Sequence, residues 1–136
     1  MRIEHRDINF QDDRGAITDI FTDGSKDYVT LITSNKGAIR GNHYHKQSIQ
    51  YTFVVSGQLT MLSQKVGERE IMKHVLGPND LMIHEPNEAH TLIADEDTVF
   101  LAFADGLRGG KDYEKDTFRL DVPLQVQFEQ QASEGK

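Results

Sequence analysis

The sequence predicts an all-β protein, folded as one antiparallel sandwich or barrel. Apolar and polar residues alternate in short segments, and turn residues separate these segments at intervals typical of such folds. Before residue 105 no segment carries a convincing helical period. The 136 residues are enough for one domain with a real core and too few for two comfortable ones.

The alternating segments define ten strands. We expect them at Arg2–Asn9, Ala16–Phe21, Tyr28–Ser34, Ile39–His45, Gln50–Val55, Leu59–Ser63, Ile71–Leu76, Asp80–His84, His90–Ile93 and Thr98–Phe103. Clusters of Asp, Asn, Gly and Pro lie between them, and these residues favour turns because they tolerate or impose special backbone angles.

The chain after residue 105 has a different character. A glycine-rich loop covers residues 105–111, and the polar residues 112–119 predict a helical turn. Residues 120–128 alternate like a last strand, which Pro123 would confine to a sheet edge. We therefore expect the domain at residues 1–128, with residues 129–136 as a polar tail in a short C-terminal extension.

Composition and charge narrow the class of protein. With 22 acidic against 15 basic residues and no basic run, the chain of net charge −7 is a poor partner for nucleic acid. It contains no cysteine, which excludes disulfides and thiolate metal sites. No apolar run is long enough for a bilayer, and the N-terminus lacks the apolar core of a signal peptide. We expect a cytoplasmic protein without a membrane partner.

The segment from Gly37 to Gly57 contains the main candidate residues for catalysis or ligand binding. His43 and His45 are two residues apart, so in a strand both imidazoles project to the same side. Adjacent enclosed imidazoles are costly unless they bind a ligand or transfer protons. Histidine suits proton transfer because its ordinary pKa lies near neutral pH. The isolated His5, His74 and His84 are expected to be structural or at the surface, with His84 near the pocket rim.

This segment is similar to the first motif of the cupins, Gly-x5-His-x-His-x3–4-Glu-x6-Gly, with Gln50 in place of the glutamate. His90 resembles the late histidine of the second motif, where Asn79 and Asn87 replace glycines. Asparagine tolerates the left-handed backbone that such turns need. The resemblance implies a cupin double-stranded β-helix, a jelly-roll barrel whose interior holds the pocket, with His90 on the wall opposite His43 and His45.

Within the RmlC-like cupin superfamily, two sugar-nucleotide families are more similar. Arg40-Gly41-Asn42-His43 resembles the Arg-Gly-x-His signature of dTDP-4-dehydrorhamnose 3,5-epimerases. The longer string through His45, Lys46 and Gln50 resembles the dTDP-4-keto-6-deoxyglucose 3,4-ketoisomerases, and the segment Asp12-Asp13-Arg14-Gly15 resembles an opening common to both. These likenesses imply an isomerase or epimerase that acts without a cofactor on a nucleotide-linked 4-keto-6-deoxy sugar, a small-molecule substrate for glycan synthesis.

The ketoisomerase likeness implies that His43 and His45 shuttle the proton, and the epimerase likeness implies that Arg40 contacts the substrate. From their chemistry we further expect Gln50 and His90 to orient the carbonyl, Arg40 to hold the diphosphate and Tyr113 to serve as a general acid at the barrel mouth. For Arg40, a salt bridge to an acidic residue is almost equally expected. A homodimer is expected, since small barrels of this kind often share an apolar face.

Metal binding is the alternative interpretation. Arg-Gly-Asn-His-x-His also resembles the metal-binding cupin domain of a bifunctional capsule-synthesis reductase. His43, His45 and His90, with Gln50, would then hold Zn, Fe, Ni or Mn in a dioxygenase-like enzyme or a sensor. The neutral amide of Gln50 is a poor ligand but a good donor to a keto oxygen, which favours metal-free chemistry. A cupin that binds sugars without turnover is a third possibility.

Overall fold

The computed structural model describes residues 1–22, 24–105 and 115–134. Twelve strands and one helix are assigned within these ranges: β1 (Arg2–His5), β2 (Phe10–Asp12), β3 (Gly15–Ile17), β4 (Tyr28–Ser34), β5 (Ile39–Tyr44), β6 (Ile49–Ser56), β7 (Leu59–Lys65), β8 (Met72–Leu76), β9 (Asp80–His84), β10 (Glu88–Ala94), β11 (Thr98–Asp105), β12 (Phe118–Arg119) and α1 (Leu124–Glu134).

The strands form two five-stranded antiparallel sheets and a separate hairpin. The first sheet has the order β1-β9-β6-β11-β4 and the second β12-β5-β10-β7-β8, while β2 pairs with β3 alone. This arrangement confirms the predicted jelly roll, because neighbours in each sheet come from distant parts of the sequence. No helix in the described ranges is long and apolar enough to span a membrane.

The space between the sheets changes character from one end to the other. Alternate residues of β6 read Val54, Thr52 and Gln50 along the inner face, and β9 continues from Met82 to His84. Val54 and Met82 belong to a buried cluster with Leu92 and Phe100, which fills one end of the barrel. The polar residues Thr52, Gln50 and His84 therefore gather at the other end, which positions the site.

Three turns depend on backbone angles that ordinary residues avoid. Asn79 and Asn87 have φ angles of 72° and 61°, as the sequence predicts for asparagines in glycine positions. Gly57 has φ 92°, and a Cβ there would lie 2.4 Å from the Thr98 hydroxyl. The glycine that ends the predicted motif is therefore required by both angle and space.

The C-terminal segment differs from the prediction. Residues 120–128 do not form an edge strand, because Leu124 to Glu134 form helix α1, which runs through the expected domain boundary at residue 128. Pro123 precedes the first helical residue, where its fixed φ favours helix initiation. Leu124 is fully buried and packs against Leu62 and Ala89 on the outer face of the second sheet. Leu120 and Phe128, which also suggested a strand, instead pack with Leu124 against this sheet.

Candidate active site

Both sheets contribute polar side chains to the site. On the second sheet, His43 of β5 lies directly across from His90 of β10. On the first sheet, Gln50 of β6 lies directly across from His84 of β9. The prediction that His90 comes from the opposite wall is wrong, since β10 is the immediate neighbour of β5. His84 supplies the imidazole from the facing sheet.

The four imidazoles form one compact cluster. The ring centroid of His43 lies 4.9 Å from that of His45 and 4.8 Å from that of His90. The rings of His84 and His90 are closer still, at 4.4 Å. His45, His84 and His90 are almost completely buried. The predicted convergence of His43, His45 and His90 is therefore present, and a fourth ring joins it.

A cavity of about 310 Å³ opens beside this cluster. Its wall includes Arg40, His43, Gln50, Thr52 and His90, together with apolar side chains from both sheets. His45 and His84 are not among its lining residues, so they lie behind the wall. The volume and the mixed lining are typical of a small-molecule site. A larger cleft of about 540 Å³ beside β1 contains none of the predicted site residues.

Asp116 fixes the position of His45. Its backbone carbonyl lies 2.7 Å from His45 Nδ1. Because a carbonyl oxygen only accepts, Nδ1 carries a proton and donates this hydrogen bond. The Asp116 carboxylate accepts hydrogen bonds from the backbone amides of Lys46 and Ser48 at 2.9 Å. Burial raises the pKa of Asp116, but these hydrogen bonds outweigh burial and hold that pKa below its usual value.

Burial keeps two of the histidines neutral. Desolvation, assisted by the neighbouring imidazoles and the N-terminal ammonium, lowers the pKa of His84 to about 3. The same desolvation, with charge repulsion from His84 and His43, holds the pKa of His90 well below 6.5. Both rings are therefore uncharged at neutral pH, so each can act as a hydrogen-bond donor or acceptor without introducing a buried cation.

Gln50 lines the cavity and has a buried donor. Its Nε2 has no hydrogen-bond partner among the described residues. Such a group costs free energy when it stays unpaired, so a ligand or water at this wall is expected to accept from it. His84 Nε2, by contrast, lies 3.0 Å from the Thr52 hydroxyl.

Arg40 lies at the rim of the same cavity. Its Nε donates to the Ser34 hydroxyl at 2.8 Å, and an Nη donates to the Thr33 carbonyl at 2.9 Å. Both partners are neutral, and within the described ranges no ion pair to Arg40 is found. The guanidinium therefore keeps its charge available for an anion, in contrast to the salt bridge that the sequence left open. Tyr113 lies outside the described residues.

Sequence reasoning gave no chemical role to two residues of the site. His84 was placed near the pocket rim in a structural or surface role, whereas it is 2 % exposed and lies among the other rings. Its alternation with Met82 in β9 was the available signal, because both point to the barrel interior. Asp116 had no comparable signal, since its contacts join positions about seventy residues apart in sequence.

Residues 10–104 match a model of the polysaccharide biosynthesis C-terminal domain family. This chain belongs to that family. The match covers the barrel strands from β2 to β11 and so includes the histidines, Gln50 and Arg40. No curated protein sequence matches this member of the polysaccharide biosynthesis C-terminal domain family.

Solved structures show which fold this family member shares. The sugar 3,4-ketoisomerase QdtA from Thermoanaerobacterium thermosaccharolyticum, in complex with TDP, is 19 % identical with a TM-score of 0.73, and 88 % of each chain is covered. The dTDP-4-dehydrorhamnose 3,5-epimerase from Sulfolobus tokodaii is 21 % identical with a TM-score of 0.68, covering 79 % of this chain and 70 % of the epimerase. The predicted RmlC-like cupin fold is thereby confirmed.

A third neighbour is a larger protein. The capsular polysaccharide assembling protein CapF from Staphylococcus aureus is 23 % identical with a TM-score of 0.63. The alignment covers 86 % of this chain and 34 % of CapF, so the chain spans about a third of that protein.

Proposed function

We propose that the chain is an isomerase or epimerase that acts on a nucleotide-linked 4-keto-6-deoxy sugar. The observation that carries the proposal is the buried, unpartnered Gln50 amide on the same cavity wall as His43 and His90. A keto sugar offers the oxygen that this donor lacks. Family membership and the fold common to QdtA and the epimerases support a reaction of this kind.

The proposed reaction moves one proton between neighbouring carbons. A base removes the C–H proton beside the ketone, and the electron pair moves onto the carbonyl oxygen to give an enediolate. An acid then returns a proton to carbon, either on the other face or at the adjacent position, so substrate and product are isomers. Gln50 would donate to the developing oxyanion, where a fixed donor contributes most.

We assign the proton transfer to His43 and His45 together. His43 lines the cavity, whereas His45 lies behind it with its ring 4.9 Å away and its tautomer set by Asp116. His43 would contact the sugar, and His45 would exchange protons with it. His90 would help to orient the carbonyl. Arg40 would hold the diphosphate, since its planar fork matches phosphate oxygens. Tyr113 as a general acid stays a prediction.

The test is proton exchange with solvent. The protein is incubated in deuterated buffer with dTDP-4-keto-6-deoxyglucose, and deuterium in the sugar is followed by NMR. We expect exchange in the wild type and in the control His74→Asn, and a loss of at least about 100-fold in His43→Asn, the usual size of a general acid–base contribution. Wild-type protein that binds the nucleotide sugar without exchanging a proton would favour the binding-only cupin.

One observation favours a second candidate, a metal-binding cupin. Ligand atoms of His43, His45 and His90 all lie within 4.8 Å of one another. The Asp116 carbonyl on His45 Nδ1 also resembles the outer contacts that orient metal-bound imidazoles. Zn, Fe, Ni or Mn bound there would act as a Lewis acid toward a bound oxygen. Stoichiometric metal in protein purified without chelator, lost in His45→Ala, would replace the metal-free proposal.

We also propose a homodimer. Leu31 and Val29 alternate outward on the edge strand β4 and are 66 % and 60 % exposed. Phe10 and Ile17 are likewise exposed on the hairpin β2–β3, which has no other strand partner in the described ranges. A two-stranded hairpin is marginal alone, so a second copy of the chain is the partner that we propose for these apolar residues. A cytoplasmic location stays a prediction.

A further inference from the structure

Strand β5 contains one residue more than its partner β10 at the edge of the cavity. Arg40 pairs with Leu92 and Gly41 with Thr91, but the next pair is His43 with His90. Asn42 is therefore the extra residue of a β-bulge. Gly41 and Asn42 have φ angles of 90° and 59°, so two consecutive residues adopt the left-handed conformation inside a strand.

The bulge changes which side chains point inward. Directly paired residues lie on the same face of a sheet, and Leu92 and His90 are two apart on β10. Their partners Arg40 and His43 consequently share the inner face although they are three residues apart. In a regular strand, residues three apart point to opposite faces. The cation and the imidazole therefore line one cavity because Asn42 does not take part in the pairing.

The amide of Asn42 secures this bulge from the outer side of the sheet. Its Oδ1 accepts from the Thr91 hydroxyl at 2.6 Å and from the backbone amide of Leu124 at 2.8 Å. Its Nδ2 donates to Gln125 Oε1 at 3.0 Å. The backbone carbonyl of Asn42 accepts from the Leu120 backbone amide at 2.9 Å. The first turn of α1 is thus joined to the residue beside His43.

Gly41 contributes the space that the bulge needs. A Cβ at this position would lie 2.7 Å from the His90 carbonyl oxygen, so no other residue fits without moving β10. Asparagine suits the following position because it tolerates the left-handed region better than other residues with a side chain. The dipeptide Gly41-Asn42 is therefore matched to the bulge in both angle and volume.

We propose that Asn42 is a positioning residue for the site. Its left-handed backbone creates the bulge that gives Arg40 and His43 a common face, and its amide holds that bulge against α1. Asn42 is not among the residues that line the cavity, so it acts through its neighbours. The consequence for ligand binding rests on the proposed function, whereas the consequence for strand pairing does not.

The test compares Asn42→Gly with Asn42→Val. Glycine accepts the left-handed backbone and deletes the amide, whereas valine is strongly disfavoured at this φ. Backbone NOEs report the Arg40–Leu92 and His43–His90 pairings, and calorimetry measures TDP affinity. We expect Asn42→Gly to keep both pairings and to bind within about threefold of wild type, with a lower melting temperature. Asn42→Val should lose one pairing and weaken TDP binding about tenfold or more, because a charged contact is lost.

Asn79→Val is the matched control, since Asn79 has φ 72° in a turn away from the cavity. It should lower the melting temperature and leave both pairings and TDP affinity unchanged. The proposal is overturned if Asn42→Gly loses a pairing, if Asn42→Val keeps both, or if Asn79→Val weakens TDP binding equally. Should Asn42→Val fail to fold, Asn42→Gly decides. A wild type that does not bind TDP would contradict the proposed function alone, because the NOEs still test the bulge.

Discussion

Gln50 is the residue whose chemistry separates the two candidate functions. Its side chain lies on the cavity wall with His43 and His90, and its buried Nε2 has no hydrogen-bond partner among the described residues. A carboxylate in this place would bring a negative charge to three imidazoles, the kind of donor set that divalent metals prefer. The amide instead gives the site a donor, which suits an oxyanion.

Gln50→Glu should therefore favour metal binding and weaken proton transfer. We expect Zn²⁺ affinity of the chelator-treated protein to rise about tenfold or more, because a charged ligand is worth at least about 1.4 kcal/mol. Deuterium exchange into the keto sugar should fall, since the oxyanion loses its donor. Calorimetry with Zn²⁺ measures the first effect. Gln11→Glu, which adds the same charge on the exposed hairpin, should change neither quantity.

His84 connects the site to the stability of the protein. Its pKa of about 3 in the folded chain lies below the ordinary 6.5. Between these pH values His84 therefore binds a proton in the unfolded chain but not in the folded chain. The free energy of unfolding therefore falls as the pH is lowered between these values, by about 1.4 kcal/mol per unit from this residue. Above pH 6.5 His84 contributes no pH dependence.

His84→Asn should remove this component. When the pH is lowered from 7 to 5, the free energy of unfolding of the chelator-treated variant, measured with urea, should fall by about 2 kcal/mol less than that of the wild type. The control His74→Asn changes a histidine of β8 that lies outside the four-ring cluster and should leave the wild-type difference in place. An equal loss of stability in wild type and His84→Asn would mean that His84 is protonated in the folded chain.

At the scale of elements, α1 is the largest departure from the sequence prediction. The helix covers the second sheet with Leu124, and Gln127 accepts a hydrogen bond from Gln64 of β7 at 3.0 Å. It carries neither acidic residues in its first turn nor basic residues in its last, so the helix dipole gives it no support. Its stability must come from packing against the sheet.

Leu124→Ala should consequently destabilise the fold. We expect a loss of about 2–5 kcal/mol in the free energy of unfolding, the range for a fully buried leucine. Denaturant titration followed by circular dichroism measures it. Val126→Ala on the same helix removes a side chain that is 38 % exposed and should cost much less. Similar costs for both variants would show that the helix is not held by its buried face.

At the scale of the whole molecule, the exposed apolar residues of β4 and the β2–β3 hairpin bear on assembly. Leu31→Lys places a charge at the most exposed large apolar position of the edge strand, where like charges in a second copy would meet. We expect a dimeric wild type and a largely monomeric variant by light scattering after size exclusion. Val75→Lys, at an exposed position on β8 of the second sheet, should remain dimeric.

A monomeric wild type would contradict this assembly without affecting the site. The site residues His43, Gln50, His84 and His90 lie on β5, β6, β9 and β10, His45 and Asp116 lie outside the strands, and none of these six is on β4 or the β2–β3 hairpin. The assembly and the chemistry are therefore separate questions, and the two sets of variants answer them independently.

The sequence by itself determined the β architecture and the core of the site. Alternation places residues of a strand on one face or the other, so the inward pair His43 and His45 followed from spacing alone. The left-handed turns at Asn79 and Asn87 followed from residue type, because few side chains tolerate that conformation. Both properties are local, and local rules can be applied to a sequence directly.

The tertiary structure decided what depends on contacts between distant segments. Period-two alternation cannot show the bulge at Asn42, which appears only when β5 is paired with β10. It cannot tell that His84 faces His90 across the barrel, or that Asp116 binds the segment after His45. Helix α1 also depends on such contacts. Its alternating apolar residues are compatible with a strand, and the packing of Leu124 on the second sheet is a contact between distant segments.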